Sequence, residues 1–464
     1  MKRLILLLLI SHFGFQLLAQ DTPENIFHER SFWKAQPSVE LVKAKIAEGH
    51  NPTEKNDFGF DAVSYGIIDK APNETLQYLL TLEGNPVTKP THGDITYLLW
   101  SAYKGNIEMV NHLLDLGSDI QLATSRGTNI LLLTAIGGVE DKSMYDLILS
   151  KGVKIDYENA SGTNVLLSLA GSDADDETLF QYLVDKGLSW DTKDDAGNGL
   201  FNYAARAGNM AIMKMCVAKG LDYTSMNEKG ENALLFAAYG RKRSEVLLET
   251  FTYLDELGLD VDVVNWEGQT PLHNAVRRGS PEIIAFFVER GVNVNQIDKA
   301  GNTAFINSVW GKVENVQKLR PLIKNINQVN HDGHSALSKA VVGARKEAFN
   351  YLTAEKADIT LLDAAGNDLM SLAFQNYSSR RADNLKYIID GLVEKGLTIK
   401  TAYAGGNTLA HYAVKKNSMY LLEKAIELGV DLNLKNDLGI TSLHLAAMKA
   451  HDNELIDKLL AAGA

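Results

Sequence analysis

The chain has 464 residues, 45% of them hydrophobic and 22% charged, with a formal net charge of −12. This composition argues against a long disordered chain, and the negative charge against general binding to nucleic acid or an anionic membrane. One cysteine, Cys216, excludes an internal disulfide. In chain order, Lys2 and Arg3 precede the apolar run Leu4 to Ile10, which resumes at Phe13, Phe15, Leu17 and Leu18. Ala19 then offers a small residue before Gln20, so residues 1–19 are expected to be a secretory signal peptide. Ser11, His12, Gly14 and Gln16 interrupt the stretch, which is short for a membrane anchor. The expected location is therefore periplasmic or secreted, with no stable membrane insertion after cleavage. An exported chain without disulfides fits a bacterial periplasm. Residues 20–31 are expected as a lead-in and 32–55 as an N-terminal capping half-repeat. There Val39, Leu41, Val42 and Ile46 make an apolar helix face closed by Gly49.

From residue 56 to 464 one glycine recurs: Gly59, Gly93, Gly127, Gly162, Gly197, Gly230, Gly268, Gly301, Gly333, Gly366, Gly406 and Gly439. The spacings run 34, 34, 35, 35, 33, 38, 33, 32, 33, 40 and 33, the signature of a repeat array. Three residues earlier there is usually Asn or Asp, as at Asn56, Asp194, Asn265 and Asp363. Short polar side chains and glycine together specify tight turns. Each glycine is followed by an Ala- and Leu-rich helix pattern and a second helix. The second helix ends at another glycine, such as Gly84, Gly117, Gly291 or Gly429, the usual stop signal.

Thr270-Pro271-Leu272-His273, with Ala275 and Gly279, gives this unit its fullest form. Thr441-Ser442-Leu443-His444 and Thr408-Leu409-Ala410-His411 are weaker copies, and Gly291-Val292-Asn293-Val294-Asn295 closes a unit. On these residues the chain resembles the ankyrin-repeat family, over about residues 32–464 and most faintly from Gly59 to Gly230. The resemblance implies an all-α ankyrin-repeat solenoid of about 12 repeats plus the half-repeat cap. It also implies that the Thr caps the first helix, Pro sits in its first turn, and His273, His411 and His444 are structural. Two long units place their extra residues between the helices, with Arg241, Lys242 and Arg243 in one and Arg380 and Arg381 in the other.

Partners of this family bind along the concave side, built from turn tips and the exposed ends of the first helices. By offset from the marker glycines, Trp266 is a tip residue, and Arg206, Tyr239, Arg277, Arg278 and Trp310 lie at first-helix ends. Aromatics and Arg dominate binding hot spots. These six are the expected partner-binding residues, set for an acidic or extended protein segment. The plainer reading makes them ordinary packing or solvated side chains, as burial makes Cys216. No phosphate-binding loop, nucleophile elbow, paired-Cys motif or His-Glu-x-x-His helix occurs. His331, Asp332 and His334 sit at a turn, where polar residues are expected without a metal. The expected function is a monomeric, non-catalytic protein-binding scaffold without cofactor or metal. The alternative is an inhibitor or immunity-type protein that blocks another protein's active cleft.

Overall fold

The computed structural model describes residues 25–240, 247–398, 402–449 and 453–464. The expected signal peptide and Arg241, Lys242 and Arg243 lie outside them. The chain divides into two compact units, residues 1–154 and 155–464. Both are built from helix pairs, with no strand beyond isolated bridges among the described residues.

In the first unit a short helical turn, Ile26–His28, and two helices, Arg30–Lys34 and Val39–Ala47, precede three pairs. These are Ala62–Ile68 with Asn73–Leu80, Tyr97–Tyr103 with Ile107–Asp115, and Ile130–Ile136 with Lys142–Ser150. The second unit has nine pairs among the described residues, from Val165–Ala170 with Glu177–Asp185 to Ser442–Lys449 with Asn453–Ala461. The first unit begins earlier than a half-repeat at residue 32. Phe27 and Trp33 are fully buried, and the Trp33 indole N–H donates to the Phe27 carbonyl at 2.9 Å. Leu41, expected on the apolar face, is exposed, and only Val42 of that helix is buried.

The repeat at Gly268 shows why this sequence makes this unit. The Asn265 side-chain oxygen accepts from the Glu267 and Gln269 amides at 3.0 and 2.9 Å, closing a tight turn. Gly268 has φ +77°, and a Cβ there would stand 3.0 Å from the Ile297 carbonyl oxygen. The Thr270 amide donates to His273 Nδ1 at 3.1 Å in a capping box, and Pro271 opens the helix Pro271–Arg278. An accepting Nδ1 places the imidazole proton on Nε2, which faces the Asn302 carbonyl of the next repeat at 3.3 Å. His411 does the same towards Ile440 at 2.9 Å.

Where the threonine and histidine are missing, Asn or Asp takes over. The Asn129, Asn164 and Asn232 side chains accept from the amides three residues on. Asn232 also donates to the Asp260 carbonyl at 2.8 Å. First helices are walled in on nearly every side, and Ala233 to Ala238 are all buried. Second helices bury one stripe, such as Ile283, Ile284 and Phe287. The long repeat at Gly366 spends its extra residues in two places. One is the turn Ser379–Arg381; the other is a second helix, Ala382–Glu394, of 13 residues, where its neighbours have 9.

In the second unit the turn tips are stitched together. The Glu228, Trp266, Lys299, His331 and Ala364 amides each donate to a tip carbonyl of the preceding repeat, at 2.8–2.9 Å. A buried amide ladder runs beneath, with Asn227 donating to Asn198 and Asn330 to Asn302 at 3.0 and 2.9 Å.

Candidate partner-binding site

Fixed tips above and buried first helices below leave the helix ends and tips as the side chains free to meet a partner. In the second unit a cavity of about 610 Å³ opens between them, lined among others by Thr163, Asp195, Tyr203, Arg206, Lys229 and Phe236. Arg206 is exposed there. Its guanidinium lies 5.2 Å from the Phe236 ring centre, and its Nε donates to the Gly240 carbonyl at 3.1 Å. Tyr203 is bound to Asp194 and Thr163 at 2.9 and 3.0 Å.

Tyr239 shares the helix end that Arg206 touches. Its hydroxyl donates to the buried Glu231 carboxylate at 2.6 Å, and burial, then Glu231, raises its pKa. The Glu231 carboxylate also accepts from Asn265 and Asn227 at 3.1 and 2.9 Å, so three neutral donors satisfy it. The Tyr239 hydroxyl is thus engaged within the fold. Arg278 Nη1 donates to the Tyr239 carbonyl at 3.2 Å, while Arg277 beside it is exposed. Arg206, Tyr239 and Arg278 therefore meet at the C-terminal end of the helix Ala233–Ala238, whose carbonyl dipoles favour cations.

The two tryptophans lie elsewhere. Trp266 is a tip residue, 65% exposed, held by an N–H bond from its indole to the Glu228 carbonyl at 2.8 Å. A Cβ on Gly230 would meet its ring at 3.0 Å, so the ring lies flat against that turn and presents its other side to solvent. Trp310 packs forward, against Gly343, where a Cβ would reach its ring at 2.6 Å. Arg345 stands 5.7 Å from its ring centre and donates to its carbonyl at 3.0 Å. The sequence reading missed Phe236, Glu231 and Arg345. Arg345 carries the one available signal, a cation shortly after its first helix but 12 residues past Gly333, beyond the offset of the others.

The remaining singled-out residues are tied into the fold. Cys216 is fully buried, and burial pushes its thiol up to about 12, an inert packing group. His334 Nδ1 is buried without a hydrogen-bond partner among the described residues, and burial lowers the pKa of that ring.

The sequence comparisons agree with this architecture. The family model described as ankyrin repeats, in three copies, matches residues 244–327. The chain thus contains ankyrin repeats. A phosphocholine transferase of Legionella pneumophila, AnkX, is 26% identical over 226 residues, which are 45% of this chain and 23% of that protein. The B-cell lymphoma 3 protein homolog of Mus musculus is 30% identical over 133 residues, 28% of this chain and 29% of its own length. The ankyrin repeat and SOCS box protein 11 of Mus musculus is 27% identical over 117 residues, 24% of this chain and 35% of that protein. The chain thus spans roughly a third or less of the length of these relatives. Ankyrin repeats are protein-binding elements, and no helix among the described residues is long and apolar enough to cross a membrane.

Proposed function

We propose that this ankyrin-repeat chain is a non-catalytic scaffold that holds an acidic, extended segment of a protein partner along the tips and first-helix ends of residues 206–310. One observation carries the reading. In a chain of net charge −12, exposed Arg206, Arg277 and Arg278 stand where the first helices end, with the exposed Trp266 at a turn tip and the half-buried Trp310 at a later helix end. The likeness to a transferase covers less than a quarter of that enzyme, which supports a shared repeat array and not a shared reaction. The basic and apolar start of the chain supports action outside the cytoplasm. Fractionation of the source cells should recover the protein in the periplasm or medium; recovery in the cytosol would refute that placement.

The functional test is affinity capture from an envelope extract with residues 20–464. A parallel bait carries Trp266→Ala, Arg277→Glu, Arg278→Glu and Trp310→Ala. Retention by the first bait and loss from the second supports the groove. Equal retention by both moves the site off these residues, and no retention by either refutes the scaffold reading.

A further inference from the structure

Beyond Arg278, the second unit repeats one arrangement that the sequence alone does not reveal. A cation from one repeat reaches back to a carbonyl at the C-terminal end of the preceding first helix. Arg278 reaches Tyr239 at 3.2 Å, Arg345 reaches Trp310 at 3.0 Å and Arg381 reaches Val342 at 3.3 Å. Lys416 reaches Gln375 at 2.6 Å and Lys449 reaches Lys415 at 3.3 Å. The repeat between Arg278 and Arg345 has Gly311 at this place. A Cβ there would stand 2.2 Å from the Val276 carbonyl oxygen, so backbone closes that helix end instead.

Each contact is a helix C-cap, favoured by the carbonyl dipoles. Capping uses little of each cation. An arginine has five N–H donors and an ammonium three, and Arg345, Arg381, Lys416 and Lys449 each commit one hydrogen bond here. None of these four ion-pairs with a carboxylate among the described residues. The last rungs converge on a cavity of about 230 Å³ lined by Lys415, Lys416 and Lys449 over Val414, Ala446 and Leu455. Burial and the nearby Lys449 lower the Lys415 pKa, so an anion entering the cavity would relieve both costs.

The geometry points to a ruled site for one kind of partner: a polyproline-II segment with a carboxylate at every third residue except at the Gly311 rung, its leading acid at Arg278 and its last at Lys449. This rests on the acidic-segment reading above and extends it through the C-terminal repeats. Consecutive first helices pack directly on one another, and packed helix axes lie ~8–10 Å apart. A polyproline-II chain advances about 3.1 Å per residue and returns the same face every three, roughly 9.3 Å per rung. A β-strand has a similar rise, but its side chains alternate, so every third residue faces away. An α-helix would need about seven residues per rung, hence a like-charged helix of about 35 residues. The Gly311 rung carries no capping cation, so proline takes the place of the acid there and holds the polyproline-II conformation.

The test uses residues 20–464 and two fluorescein-labelled 16-residue peptides of identical composition. The register peptide has Glu at its first, seventh, tenth, thirteenth and sixteenth positions, Pro at its fourth, and neutral residues elsewhere. In the control the same five Glu occupy alternate positions. Fluorescence anisotropy at low salt should show the register peptide binding at least ~10-fold more tightly, since correctly placed charges set register as well as attraction. Arg345→Gln and Lys416→Gln should each weaken it several-fold, while Arg345→Lys keeps most of the affinity. If a variant fails to fold, the comparison of the two peptides on the unaltered chain still decides. Equal binding of both peptides would overturn the register and leave the acidic-segment reading intact. Binding of neither peptide, while capture still depends on Arg277 and Arg278, overturns this inference alone. No binding and no capture overturns both.

Discussion

The two units carry the same helix pairs but pin them differently. In residues 155–464 mostly neutral groups join the repeats: backbone bonds from tip to tip, an amide ladder beneath, and imidazole bridges from His273 and His411, while charged contacts such as Arg345 to Trp310 and Arg290 to Asp255 are partly exposed. In residues 1–154 a buried ion pair does part of this work. Asp61, fully buried, caps Ala62–Ile68 and meets Lys89 Nζ at 2.8 Å and the Tyr97 hydroxyl at 2.6 Å. Lys89 also donates to the Thr53 carbonyl and to Asn85, at 2.8 and 3.0 Å. Neutral joints can be added one repeat at a time, which suits the longer unit. A buried ion pair is all-or-none, because either charge alone is costly.

That difference predicts the largest effect. Lys89→Met should cost about 3–5 kcal/mol, because it leaves the Asp61 carboxylate buried without its cation. Asp61→Asn in the same chain should recover most of the loss, since the Asn oxygen still caps the helix and its amide can donate to the Tyr97 hydroxyl. Denaturant unfolding with hydrogen exchange would show the lost protection falling within residues 53–103. A loss of under ~1 kcal/mol for Lys89→Met, the range of exposed pairs, would mean that the pin is no pin.

A second pair of substitutions tests what the units share. At the end of a first helix, Gly137 in one unit and Gly311 in the other press against the preceding repeat. A Cβ would stand 2.0 Å from the Tyr103 oxygen and 2.2 Å from that of Val276. Gly137→Ala and Gly311→Ala should each cost about 1–3 kcal/mol, the usual range for overpacking. A neutral result in one unit alone would show that its stacking is looser, and thermal midpoints of the two variants would reveal it.

The period was legible because its causes are local. All twelve marker glycines have positive φ, as a turn residue read from sequence should. The Thr-Pro-Leu-His reading also held, down to a histidine bonded to the next repeat. Lys89 was invisible because it meets Asp61 across 28 residues of chain, inside a repeat with no signature to flag it. The cations that cap preceding helices escaped for a related reason. Arg278, Lys416 and Lys449 each stand 10 residues after their marker glycines, but Arg345 and Arg381 stand 12 and 15 after theirs, so no single offset finds all five. Of the proposed site, residue types could be read from sequence. Which carbonyl each side chain holds could not, since that is decided one repeat away.

The smallest effect separates the units by pH. Burial is the largest influence on His273 and His411, and it lowers both pKa values. A lowered pKa means that the folded chain binds fewer protons than the unfolded one just below about pH 6.5, so stability rises with pH there and falls on acidification. The mechanism is local. A proton on Nδ1 would face the Thr270 or Thr408 amide that now donates to it, so protonation opposes the capping box. The loss should be present below the folded-state pKa values, absent well above pH 6.5, and confined to repeats that carry the imidazole bridge. Unfolding midpoints at pH 7.5 and 5.0 should differ less in a His273→Asn, His411→Asn chain than in the natural one. Asn keeps a capping side chain, as at Asn232, and has no proton to gain. An equal shift in both chains would assign the acid sensitivity to carboxylates instead, and would leave the two units alike in this respect.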